Sequence, residues 1–217
     1  QASIETLATA TPVANIETLL STCPTQDELD RFNNDFHILF DSAIALPPYE
    51  CQNGTGLGGQ VNPRLALYQG LRVIHALHFD QSLPWTQRNQ YVWLKEAIHG
   101  IVVTDAEYSY CCQAGKQIVL KADLLYQPDY QLWVNPQSGG GLMGLVGVII
   151  HEARHAEIGG HTCGADDATL EELGAWGVQY YLFLYIAENT PATFFSQDQR
   201  QMALDHADTS LARICNP

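Results

Sequence analysis

Positive charge is scarce in this sequence. Ten Lys and Arg stand against 24 Asp and Glu in 217 residues, giving a net charge of -14. So acidic a surface repels phosphate backbones and anionic lipid, which argues against nucleic acid and membrane partners and would draw in basic ones. Long apolar runs are missing as well. The longest, Gly139 to Ile150, opens on three glycines and falls well short of the roughly 20 residues that a membrane span needs. Internal repeats, low-complexity tracts and linker-like stretches are also lacking, so residues 1–217 read as a single domain, with 1–22 as an Ala- and Thr-rich lead-in.

What is present points to a folded, secreted chain. Hydrophobic residues make up 46% and charged residues 16%, the balance of a globule with a core rather than of a disordered segment. Six cysteines, Cys23, Cys51, Cys111, Cys112, Cys163 and Cys215, read as up to three disulfides made in an oxidising compartment. Fifteen pairings are open. Cys111 and Cys112 are not expected to bond to each other, because a bridge between neighbours is strained. The chain begins at Gln1, as signal-peptide cleavage can leave it, and Asn53-Gly54-Thr55 is a glycosylation acceptor.

The pattern along the chain is mainly helical. Thr25 is an N-cap for a helix over 26–40, with Leu29, Phe32, Phe36, Leu39 and Phe40 on its buried face. Helical periodicity recurs over 64–79 and 86–100. The alternation in Gln117 to Leu125 predicts a strand, and Leu132-Trp133-Val134 a shorter one. A helix over 142–158 is apolar on nearly all sides, hence buried, and stops at Gly159-Gly160. Thr169, with Glu172 three residues on, starts a second helix reaching Ala187. The expected fold class is α+β, mainly helical, with a small sheet beside the buried helix.

That buried helix carries His151-Glu152-Ala153-Arg154-His155. Residues i and i+4 lie one above the other on a helix, so His151 and His155 can turn two imidazoles towards one metal ion. Neutral imidazoles suit Zn2+, and two of them leave room for a third protein ligand and a water. Glu152 flanks the same site and is the candidate catalytic base that takes a proton from the attacking water. The remaining histidines that fall in helical segments, His75, His78 and His99, read as ordinary packing residues.

Over residues 142–182 the chain resembles the zincin superfamily of metallopeptidases, whose signature is HExxH. The resemblance implies a secreted zinc peptidase acting on a peptide or protein substrate. It also implies an active-site helix beneath a sheet whose edge strand binds the substrate backbone, and Gln117 to Leu125 is placed to be that strand. Two third ligands are implied. Metzincins add a histidine ten residues after the first, and His161 stands there, although Ile158 replaces the glycine of their motif. Gluzincins take a glutamate from the next helix, and Glu172 fits that role and is preferred, with Gly174-Ala175 letting the two helices approach. Asp166 and Asp167 resemble the aspartate-ligand branch only loosely. Donors to a developing oxyanion would come from Arg154, Tyr180, Tyr181 or His206. The alternative is a non-catalytic zinc site in a structural or interaction domain, closed by four protein ligands: His151, His155, His161 and Glu172.

Overall fold

Helix caps set the boundaries of most elements. The computed structural model describes residues 15–52, 62–126, 132–135 and 140–217. Asn15 caps α1 (Ile16–Ser21), and Thr25 forms a capping box with Glu28 at the start of α2 (Gln26–Phe36). α2 is shorter than its pattern suggests. His37 takes a left-handed conformation (φ 41°), and the chain leaves as a short strand, β1 (Leu39–Phe40), with Leu39 exposed. Asn62 and Pro63 start α3 (Pro63–Ala76), and Asn89 starts α4 (Gln90–Ala97).

The predicted helix over 86–100 therefore yields to a strand at its end. β2 (Gly100–Thr104), β3 (Tyr110–Gln113) and β4 (Gln117–Lys121) complete a four-stranded mixed sheet in the order β1-β2-β4-β3. β2 runs parallel to β1 and β4, while β3 pairs antiparallel with β4. β4 is thus an inner strand and β3 the edge strand, which corrects the edge position expected for residues 117–125. The end of that segment instead winds into a 3-10 turn (Ala122–Tyr126), and Leu132-Trp133-Val134 forms bends rather than a strand.

α5 (Leu142–Ile158) has the predicted bounds and runs through the core, in contact with α3, α4, β3, β4 and α6 (Ala175–Glu188). Its start depends on Gly141 (φ 140°), where a Cβ would collide with the backbone of Trp133 and Val134. Within α5, Gly147 makes room for the Phe183 ring of α6. α7 (Gln197–Leu211), capped by Ser196, packs along α6. The α+β, mainly helical class is what the structure shows, with seven α-helices and the small sheet among the described residues.

Three disulfides link Cys23 to Cys51, Cys111 to Cys112, and Cys163 to Cys215. The second corrects the expectation that neighbours would not bond. The peptide between them is cis, with their Cα atoms 3.0 Å apart. Covalent pairing of all six cysteines fits an oxidising compartment. Among the described residues, no helix is long and apolar enough to cross a membrane. The Asn53-Gly54-Thr55 acceptor lies outside the described residues.

Arg72 joins the N-terminal helices to α3. Its guanidinium donates to Glu28 Oε1 at 2.9 Å, to the Leu19 and Thr22 carbonyls at 2.8 Å, and to Thr22 Oγ1 at 3.1 Å. Glu28 is partly buried, which by itself raises its carboxyl. The Thr25 backbone N–H and the Arg72 charge outweigh that and hold it below its ordinary value. Arg72→Ala removes one donor from a part-buried carboxylate and from two carbonyls and should destabilise the fold by about 2 kcal/mol in chemical denaturation. A loss within experimental error of zero would contradict this assignment.

Candidate metal centre

The helical pair forms as the spacing requires. His151 is buried and His155 half-buried on one face of α5, with ring centroids 4.9 Å apart. The helix ends at Gly159 (φ 85°), whose N–H returns to the His155 carbonyl. The chain then doubles back, so the His161 ring comes to 4.5 Å from His155 and 5.3 Å from His151. One ring nitrogen from each histidine lies within 4.8 Å of the other two, close enough for all three to share a metal ion.

Each imidazole is held through Nδ1. His151 Nδ1 donates to Gln179 Oε1 at 3.1 Å, His155 Nδ1 to the Gly159 carbonyl at 2.5 Å, and His161 Nδ1 to Asp167 Oδ1 at 2.8 Å. A carbonyl and a carboxylate only accept, so Nδ1 carries a proton, and in a neutral ring Nε2 is then left with its lone pair. Three imidazoles anchored through Nδ1 in this way leave Nε2 as the atom that could bind a metal ion. Burial, then repulsion from His155 and His161, hold the His151 imidazolium down to about 3; burial likewise lowers His155. Neutral rings are the form that a cation binds.

Asp167 contributes to the site without being one of the grouped side chains. It lies directly behind them. Its side chain is 2% exposed; Oδ1 orients His161, and Oδ2 accepts from Trp176 N at 2.7 Å and Gly177 N at 3.2 Å. Asp167 thereby caps the first turn of α6 from a distance. A Cβ at Gly174 would fall on this carboxylate, so that glycine serves the carboxylate rather than a close approach of α5 and α6. The Trp176 ring walls the site, with centroids 4.3 Å from His151 and 6.0 Å from His161.

Glu172, the preferred third ligand, is engaged elsewhere. Its Oε1 accepts from Thr162 Oγ1 at 2.5 Å, Ala168 N at 2.6 Å and Thr169 N at 3.4 Å. These contacts brace the loop between α5 and α6. The second helix accordingly begins at Ala175 rather than Thr169, after Leu173 in a left-handed conformation (φ 50°). The structure groups His161, not Glu172, with His151 and His155.

Glu152 is buried beside the pair. Burial pushes its carboxyl up to about 7, opposed by a hydrogen bond from the Cys111 backbone. Cys111 belongs to β3, so this carboxylate sits where α5 meets the open edge of the sheet. The suggested oxyanion donors have other partners. Arg154 donates to the Leu173 carbonyl and to Glu157, Tyr180 packs on Tyr181, and His206 lies against Phe183.

Searches of family models, of curated proteins and of solved structures find no match to this chain. What defines its class is therefore the site itself: a three-histidine candidate metal centre with a buried glutamate alongside, on an α+β fold. Three imidazoles accept zinc, copper, nickel or iron, so the donor set alone does not name the ion. Asp167→Asn keeps the shape but weakens the partner of His161. It should lower metal affinity about 10- to 100-fold in a competition titration against a chromophoric chelator. An unchanged affinity would remove Asp167 from the site.

Proposed function

We propose that this protein is a secreted, zincin-like zinc peptidase. In this reading His151, His155 and His161 hold one zinc ion and Glu152 is the catalytic base. The observation that carries it is the combination of three Nδ1-anchored histidines with a buried carboxylate on the helix that carries two of them. When bound, zinc would supply Lewis acidity, lowering the pKa of a water and polarising a carbonyl oxygen. Nitrogen donors and an available fourth position make zinc the best fit for hydrolysis without redox chemistry.

The chain's own residues divide the remaining work. Glu152 lies in a partly dehydrated niche, where a carboxylate is a stronger base than in water, and can take the proton of the attacking water and pass it to the leaving amine. β3, the edge strand next to Glu152, is suited to receive an extended peptide. Trp176 shields one side of the histidines from solvent. The strongly acidic surface favours basic peptides or proteins as substrates.

The alternative, a closed non-catalytic zinc site, needs a fourth protein ligand. Its candidate was Glu172, and that carboxylate bonds to Thr162 and to backbone N–H groups instead. Secretion is supported by the three disulfides.

Glu152→Gln should leave one zinc per chain and reduce hydrolysis of a mixed peptide library by at least about 100-fold, the scale of a lost general base. A chelator should abolish the wild-type activity, and added zinc should restore it. Full activity in Glu152→Gln would overturn the catalytic assignment.

A further inference from the structure

His161 differs from the other two histidines in how it is placed. His151 and His155 are set by helical spacing, whereas His161 stands on the loop between α5 and α6 and depends on contacts made from elsewhere. Several contacts that hold this loop come from residues 213–216. Asp167 N donates to the Arg213 carbonyl at 3.1 Å, Cys215 N to the Asp167 carbonyl at 2.9 Å, and Asn216 N to the Ala168 carbonyl at 3.0 Å. Residues 167 and 214 form a parallel bridge, and Ile214 is buried. Arg213 pairs with Asp166, donates to the Ala165 carbonyl at 3.1 Å, and lies 4.6 Å over the Trp176 ring. The Cys163–Cys215 disulfide closes this arrangement two residues from His161, across a separation of 52 residues.

We infer that the C-terminal segment, residues 213–216, is a working part of the metal centre. The Cys163–Cys215 bridge and its flanking contacts clamp His161 as third ligand, so that the chain holds metal tightly only while this disulfide is intact. This rests on the reading of His151, His155 and His161 as a metal site. Without the bridge, the loop of residues 159–174 gains conformational freedom that metal binding must then remove. The helical pair would remain, and the site would behave as a two-histidine site. Cys215 is exposed and open to attack by a dithiol. The dithiol supplies two electrons, the Sγ–Sγ bond breaks, each sulfur takes up a proton, and the dithiol leaves as its own disulfide. Reduction therefore unloads the site, and oxidation in a disulfide-forming compartment completes it. The Cys23–Cys51 bridge joins the segment between α1 and α2 to the chain after β1 and serves as the internal control.

The test is a zinc competition titration on the full chain, with Cys163→Ser/Cys215→Ser compared with wild type, with Cys23→Ser/Cys51→Ser, and with His161→Ala as the two-histidine reference. The Cys163/Cys215 variant should bind about 10- to 100-fold more weakly than wild type, approaching His161→Ala, while the Cys23/Cys51 variant stays within about 3-fold. Wild-type affinity in the Cys163/Cys215 variant, or an equal loss in both double variants, overturns the clamp. If circular dichroism shows the Cys163/Cys215 variant unfolded, Arg213→Ala carries the test with the disulfide intact. It should lose at least about 3-fold in affinity, and no loss overturns the proposal. A wild-type chain that binds no zinc would instead refute the metal reading itself, and the clamp with it.

Discussion

The carboxylate of Asp167 is the interaction on which the site depends. A buried carboxylate is costly unless its oxygens are satisfied, and here both are, by donors from different parts of the chain. One oxygen fixes the ring of His161. The other caps α6, the helix that carries Gln179 and hence the partner of His151. One side chain thus ties His161 on the loop to the helix behind His151. The cost appears at Gly174, where no side chain can be accommodated.

Around this carboxylate the site combines two kinds of positioning. His151, Glu152 and His155 are held by a buried helix whose other faces are packed by α3, α4, α6 and the sheet. Their geometry follows from local structure and is hard to perturb without disturbing the core. His161 and Trp176 are held by a short loop, a helix start and the chain terminus, through hydrogen bonds, a disulfide and a ring stack. The proposed chemistry needs both. The helix presents Glu152 beside the edge strand β3, and the loop brings the third histidine.

What the sequence could reveal followed the same division. The bounds of α5, the His151–His155 pair, the flanking Glu152 and the α+β class are consequences of local periodicity, and they were legible. The side chain that joins the pair was not. His161 and Glu172 both stand at plausible spacings, and what separates them is Asp167 and residues 213–216, brought close only by the fold. Glu172 carried a visible signal, its capping spacing from Thr169, and it does bond to that backbone N–H, although the helix begins later. β2 was missed because Gly100-Ile101-Val102-Val103 is an uninterrupted apolar run following directly on a helix, with no alternation to mark it. The inner place of β4 depends on pairing with β2 and β3, which no local pattern encodes.

The central claim is that three histidines hold one zinc and leave a position open beside Glu152. The most direct measurement is a crystal structure of protein purified without chelators, with anomalous data on both sides of the zinc absorption edge. The account predicts a single zinc peak bonded to the Nε2 atoms of His151, His155 and His161 at about 2.0 to 2.1 Å, with a water as the remaining ligand. Absence of the peak, or a fourth protein ligand in place of the water, would contradict it.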